Sequence, residues 1–457
     1  MKIKSIVFCF FVSVTMSIFG QEKKWTLQEC ISYALDNNIT IKQSELDVET
    51  ASIDRSDAIG NFLPSLNGSA SNFWSSGLAT DPTSGTNRVQ TFRSSSYNIS
   101  SSVTLFDGLN NIRQFQRAKL NELLSKYTLG KSKDDIALFV ANGYLQVLLN
   151  KESLKVIEKQ HEITIAQLER TKSLVDAGVL PQGDLLEIEA TSADEITRIV
   201  QADNAVRISL ISLAQTLLIK DYETFEIAEQ DYLVPTSEII KKPISEIISR
   251  SREARYEVQI AEQNRRIAEQ DVLIAKSSYY PTLSASASLS TFESDAQNVI
   301  GFDDLGGAVV GGPEPIFDQF SDNYSINYGL SLSIPIFNGF SVRNAVKRGK
   351  INVKRAEFQL EQAELDLDSN VYQAYLDAKG AAEAYEASLV SVKAQERAYE
   401  YAKDRYDVGL TNAFDFSQSK FRLENAQSVE VQNRFDYIFK LKVLELYFGL
   451  KMADIKL

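Results

Sequence analysis

Four stretches of the chain alternate apolar and polar residues with period two, and most of the remainder repeats at spacings of three and four. In residues 96–105, Tyr97, Ile99, Val103 and Leu105 share one face, opposite Ser96, Asn98, Ser100, Ser102 and Thr104. In residues 324–334, Tyr324, Ile326, Tyr328, Leu330, Leu332 and Ile334 oppose Ser325, Asn327, Gly329, Ser331 and Ser333. Leu283, Ala285, Ala287 and Leu289 alternate with four serines, and residues 66–74 form the weakest member, rich in Asn, Gly and Ser. Each stretch is about ten residues, the length a tilted strand needs to cross a bilayer. An ordinary sheet with one wet face gives the same alternation. The polar faces, however, carry almost no charge. Phe62, Phe106, Tyr279, Tyr280 and Phe337 gather at the strand ends, as residues at a membrane interface do.

Long polar stretches, residues 77–93 and 295–323, separate the strands of each pair and are expected to be mobile, surface-facing connections. Elsewhere the pattern is helical. Residues 109–176 contain no proline and little glycine, and residues 342–407 are similar. Within the second run Val371, Tyr375, Ala378, Ala382, Tyr385, Leu389 and Val392 alternate spacings of four and three, the seam of a coiled coil. Shorter helices return, over about 184–219 and 414–450. Gly178, Pro181 and Gly183 mark the first turn, and Gly409 and Asn412 the second. Asp184 and Asp415 stand where N-caps are expected. Pro181 is expected to stiffen the first turn and Thr411-Asn412 to loosen the second, which makes the second tip the candidate gate.

The two halves superpose. Residues 103–108 (Val-Thr-Leu-Phe-Asp-Gly) fall on 334–339 (Ile-Pro-Ile-Phe-Asn-Gly) at an offset of 231, and the same offset places Tyr144 on Tyr375, Gly178 on Gly409 and Asp184 on Asp415. Earlier in the chain Pro64 falls on Pro281 at 217, so the second strand connection is longer by fourteen residues. A repeat of this size is one large strand–strand–helix–helix module used twice. Four strands cannot close a barrel, and open strand edges are not tolerated in lipid, so several chains are expected to share one.

Residues 1–20 read as an export signal, with Lys2 and Lys4 before an apolar run that Ser13, Thr15 and Ser17 interrupt. Its removal takes the formal charge from −13 to −15 and leaves Cys30 without a disulfide partner, a small apolar helix residue. Such an acidic chain is poor material for nucleic acid. Beyond the signal no stretch offers eighteen continuous apolar residues, so no membrane helix is expected. Nothing supports catalysis or a cofactor. His161 is the only histidine, in a charged helix face expected to meet solvent; phosphate-binding glycine motifs are missing, and one cysteine makes no thiolate metal site.

Three segments carry a resemblance to a known family: Arg405-Tyr406-Asp407-Val408-Gly409-Leu410-Thr411-Asn412-Ala413-Phe414-Asp415, its counterpart in residues 174–184, and the opening Trp25-Thr26-Leu27-Gln28-Glu29-Cys30. Behind a signal peptide and beside strand pairs, they resemble the TolC-like outer-membrane efflux proteins, the outer-membrane factors of tripartite export systems. The resemblance implies a membrane β-barrel continued by an α-helical barrel, each chain giving four transmembrane strands and long antiparallel coiled-coil helices in two internal repeats, closed as a homotrimer. It implies a passive duct in the outer membrane of a Gram-negative bacterium, surrounded by outer-membrane lipid and reaching into the periplasm. A periplasmic adaptor and an inner-membrane transporter are its implied partners.

On that pattern residues 21–219 form the first repeat, with strand pair 65–106 and tip 174–184. Residues 220–244 form an equatorial segment, 245–450 the second repeat with strand pair 282–337 and tip 405–415, and 451–457 a C-terminal tail. By residue matching, Asp184, Tyr406 and Asp415 fall at the periplasmic gate, and Gly178, Val179, Leu180, Gly409 and Leu410 at the adaptor-docking tip. The aspartates serve equally as caps, and the glycines as turn residues. Gln418 and Thr411 depart from the family's second acidic ring and basic latch. A duct for protein secretion has the same architecture; a non-conducting periplasmic coiled-coil scaffold is a reading of another class.

Overall fold

A computed structural model describes residues 24–80, 87–229, 238–295, 299–302, 304 and 308–450; the export signal read at 1–20 and the tail at 451–457 lie outside them. The first half runs β1 (Lys24–Trp25), α1 (Leu27–Asn37), α2 (Ile39–Gly60), β2 (Ser65–Thr80), β3 (Asn87–Phe106), α3 (Asn110–Asp176) and α4 (Gln182–Thr216). After β4 (Glu226–Ile227) and a short 3-10 turn at Glu238–Lys241 come α5 (Ile244–Ala254), α6 (Tyr256–Ser277), β5 (Thr282–Ser294), β6 (Val299–Phe302) and β7 (Ala308–Val310). The chain continues through α7 (Ile316–Asp322), β8 (Ser325–Ser333), α8 (Ser341–Asp407) and α9 (Ala413–Tyr447).

The repeat holds at the level of element length. Helices α1 and α5 each have 11 residues and α2 and α6 each have 22. Helices α3 and α8 each have 67, and α4 and α9 each have 35. Backbone corners coincide as well. Gly108-Leu109 and Gly339-Phe340 all take positive φ, and so do Leu218 (φ 60°) and its equivalent Gly449 (φ 94°). Leu218 thus holds a left-handed conformation that its counterpart meets with glycine, without the Cβ penalty.

The chain divides into two compact units. One comprises residues up to Lys42, Ser132–Ala254 and those from Asp368 on. Its core includes Cys30, Ile31, Tyr144, Leu213, Ile227 and Ile438. Thr26 caps α1 in a reciprocal capping box with Glu29, and β1 pairs in parallel with β4. Tyr144, fully buried, donates to the carbonyl of Ala228 at 2.9 Å, and its repeat partner Tyr375 donates to that of Ile240 at 3.3 Å. The matched tyrosines therefore perform one task twice, tying a long helix to the segment that joins the halves. The seam read on α8 is narrower than expected. Val371, Ala374, Ala378 and Ala381 are buried, but Leu389 is exposed and Ser388 takes its place, its hydroxyl satisfied by the Tyr385 carbonyl.

The other unit comprises Gln43–Lys131 and Arg255–Leu367 and contains a four-stranded antiparallel sheet in the order β2-β3-β5-β8. The register keeps like faces together. Asn67, Ser100, Ser288 and Asn327 stand in one cross-strand row, and Ser65, Ser102, Ser286 and Gly329 in another. The opposite face aligns Ile99, Leu289 and Ile326 in one row and Val103, Ala285 and Leu330 in a second. Every residue of β8 is exposed, Tyr328 at 85% and Leu330 at 71%.

The strand connections correct the sequence reading. Strands β2 and β3 reach 16 and 20 residues and take in much of the stretch expected as loop, because polar pairs such as Thr91 with Ser76 extend the ladder as well as apolar ones. The second connection holds the β6–β7 hairpin and α7, where a bare loop was expected. Strand β8 stops at Ser333, ahead of Pro335, which has no N–H to give. Among the described residues no helix is long and apolar enough to cross a membrane.

Candidate functional site

Both helical hairpins turn through the same construction. At the first, the amides of Gly178 and Val179 donate to the carbonyls of Val175 and Leu174; at the second, Gly409 and Leu410 donate to Tyr406 and Arg405. These are Schellman closures, and their glycines take φ +74° and +75°, where a side chain is strained. No atom lies within 4 Å of a Cβ built on either glycine, so the conformation, not crowding, selects the residue.

Beyond the turns the hairpins differ, in the opposite sense to the expectation. The cap of α9 is Asn412, whose side chain accepts from the Asp415 amide at 2.8 Å. Thr411 donates to the Asp415 carboxylate at 3.2 Å, and Arg405 donates to the Leu410 carbonyl at 3.3 Å. Helix α4 starts at Pro181, with no side-chain cap bond. The second turn is thus braced rather than loosened. The expectation that Asp184 and Asp415 are caps is corrected too: both lie one turn inside, where a carboxylate favours the helix dipole without closing it.

Behind the turns, Ile188, Tyr399, Tyr406, Ala413, Phe416 and Leu423 form an apolar cluster, with Leu180 packed against it. Tyr406 is 1% exposed, stacks on Phe416 at 5.1 Å and shares a hydrogen bond with Thr171 at 3.1 Å. Burial pushes its phenol up, the Thr171 hydrogen bond opposes this, and the charges of Asp184 and Asp407 add to the rise. Of the residues matched to a gate, Tyr406 is held in this core, Asp184 is half-buried and Asp415 is exposed. Of those matched to docking, Leu180 leans on the core, whereas Val179 and Leu410 stand out at 66% and 68% exposure.

Farther from the turns lies a group that sequence reasoning missed. Lys420 of α9, 3% exposed, bonds Glu195 of α4 and the Thr164 hydroxyl of α3. Arg198 holds the buried Glu424, and Gln160 donates to Gln427 at 2.9 Å. His161 is not solvent-facing: its ring nitrogen lies 3.2 Å from the Glu195 carboxylate. Burial pushes the Lys420 ammonium below its usual range, although Glu195 opposes the shift. The signal was present, since Lys420 and Gln427 continue the seam of Phe416 and Leu423, where an apolar residue is the default. Among the described residues no group of His, Cys, Asp and Glu is placed to hold a metal ion.

The model of the family described as outer membrane efflux protein matches residues 30–217 and 247–449. Protein CyaE of Bordetella pertussis is 24% identical over 294 residues, covering 64% of this chain and 57% of CyaE. Outer membrane protein TolC of Vibrio cholerae is 22% identical over 321 residues, covering 69% of this chain and 67% of TolC. The chain thus spans between 57% and 67% of the length of these relatives. In fold, it is similar to the crystal structure of the Vibrio cholerae outer membrane protein VceC, with a TM-score of 0.75 at 15% identity over 93% of this chain and 96% of VceC.

Proposed function

The chain belongs to the outer membrane efflux protein family, and from that membership we propose that it is a passive exit duct of the outer membrane. The observation that carries the reading is the sheet. In the rows from Thr104 to Asn98 one face is Ser, Asn, Thr and Gly without charge, and the register holds Val103, Ile99, Ala285, Leu289, Ile326 and Leu330 on the other. A water-filled lumen on one side and lipid on the other require this division. Among the described residues the outer edges of β2 and β8 have no partner strand, and lipid does not accept a free edge. Three copies closing twelve strands satisfy both edges, and the long helices of each copy continue the duct through the periplasm.

In this reading residues 220–244 belt the helices between the two repeats, 21–219 and 245–450. The hairpin tips face the inner membrane, where Val179 and Leu410 offer apolar contacts to a periplasmic adaptor. Through it an inner-membrane transporter supplies the energy and chooses the small molecules expelled. The carboxylates of Asp184 and Asp415, three of each around one axis, lower the potential at the entrance and favour cations. Purified protein added to a planar bilayer is expected to form conducting trimers, and Asp415→Ala to change cation block or selectivity. A protein that stays soluble without detergent and carries no current would refute the duct; unchanged selectivity in the variant would remove Asp415 from the entrance.

A further inference from the structure

Helix α7 lies against the sheet, and the register fixes which face it covers. The Phe320 ring meets the Tyr97 ring edge-on at 5.4 Å, and the Thr291 hydroxyl donates to the Phe320 carbonyl at 3.2 Å. Tyr97 and Thr291 are register partners, in the same parity as Ile99 and Leu289. Helix α7 therefore sits on the apolar face, at the far ends of β5 and β8 and midway along β3.

The face changes character there. Past Tyr97 and Thr291 the same parity brings Ser95, Arg93 and Glu293, so the stripe is interrupted on β3 and β5, and Trp74, Leu78 and Val89 resume it farther along β2 and β3. Glu293 is 3% exposed and held by Arg93 at 2.9 and 3.0 Å. The Gln319 side chain accepts from the Ser294 amide and donates to its carbonyl, and Asn323 donates to the Phe292 carbonyl. The helix thus docks on the boundary where the apolar stripe gives way to a buried ion pair. The nine residues of β8 that lead up to that boundary run about 30 Å along the strand. With the usual tilt this is close to the apolar height of an outer-membrane barrel, about 25 Å.

Turned from the sheet, α7 carries one large apolar ring among polar side chains, uncovered among the described residues. Phe317 is 83% exposed, packed edge-on to Phe320 at 6.3 Å, and Ile316 is 46% exposed, while Asp318 and Asp322 are also exposed. We propose that α7 is an interfacial anchor on the outside of the barrel, with Ile316 and Phe317 seated in the outer-leaflet lipid at the boundary between acyl chains and headgroups. The proposal rests on the duct reading, because lipid meets α7 only if it also covers the apolar strand face. Continuity of Phe317, Phe320 and Tyr97 with that face selects lipid as the occupant. An aromatic ring at this depth is the usual way to fix a barrel's height in the membrane.

A nitroxide at position 317 tests it, in mature protein carrying Phe317→Cys and reconstituted in phosphatidylcholine vesicles. Cys30, buried, stays unlabelled, and the substitution removes the ring contact with Phe320. A second label at Tyr328→Cys reports the strand face. The expected result is that both positions relax more with oxygen, which partitions into lipid, than with a water-soluble nickel chelate. If 328 behaves so while 317 favours nickel, α7 stands in water and the anchor is refuted. If 317 is shielded from both reagents, it packs on another copy, and the anchor is again refuted. Should 328 fail to meet oxygen, the strand reading falls and takes the anchor with it.

Discussion

At Gly130 a built Cβ lies 2.4 Å from the Tyr256 ring, which packs near Tyr127. The glycine exists for that ring, so Gly130→Ala is expected to destabilise the protein by about 1–3 kcal/mol. Thermal unfolding of detergent-solubilised protein measures the loss, and relief in G130A/Y256L identifies the clash as its cause. Glu229 shows a charge held by its surroundings: hydrogen bonds from Lys155 and Lys151 push its carboxyl down to about 2. A depressed carboxyl adds stability above its ordinary value near 4.5, and that contribution disappears as pH falls through about 2. Acid titration followed by helical content should therefore show a flatter slope in this window for Glu229→Gln; an unchanged slope would leave the cradle without energetic weight.

Among the elements, the turns were legible and the buried charges were not. Gly178 and Gly409 announce themselves because φ near +75° excludes almost every other residue. Lys420 and Glu195 were missed: the seam spacing turns position 420 inward, but a charged side chain there gives no mark of the partner that satisfies it. The strand limits failed for a related reason: a hydroxyl ladder pairs backbone without showing apolar alternation. The buried pair makes an asymmetric prediction. Glu195→Leu leaves the buried Lys420 without its carboxylate, at a cost of about 3–5 kcal/mol, whereas E195L/K420M is expected to recover most of it. Unfolding midpoints of the two singles and the double decide it; additive losses would mean that the pair is not coupled.

For the whole molecule, the sequence reading reached the module and its duplication, because both follow from periodicity. It did not reach α7, since seven residues behind Pro313 and Pro315 look like any loop. Gly409→Trp is expected to impair efflux in cells while trimers persist on gels, with Gly409→Ala as the control that carries the turn strain without the bulk. Equal impairment by both would assign the effect to the turn, and loss of trimers would exclude a docking role. The equal helices of the two halves, 67 with 67 and 35 with 35 residues, bear on how such a chain can vary. One inserted residue shifts everything beyond it by about 1.5 Å and rotates it by about 100°, which would carry Thr171 away from Tyr406 and Lys420 away from Thr164. Insertions in a long helix therefore misalign its mates unless matched there, whereas the two strand connections already differ by fourteen residues. Length is a paired quantity in the helices and a free one between the strands, and that is where this chain has room to diverge.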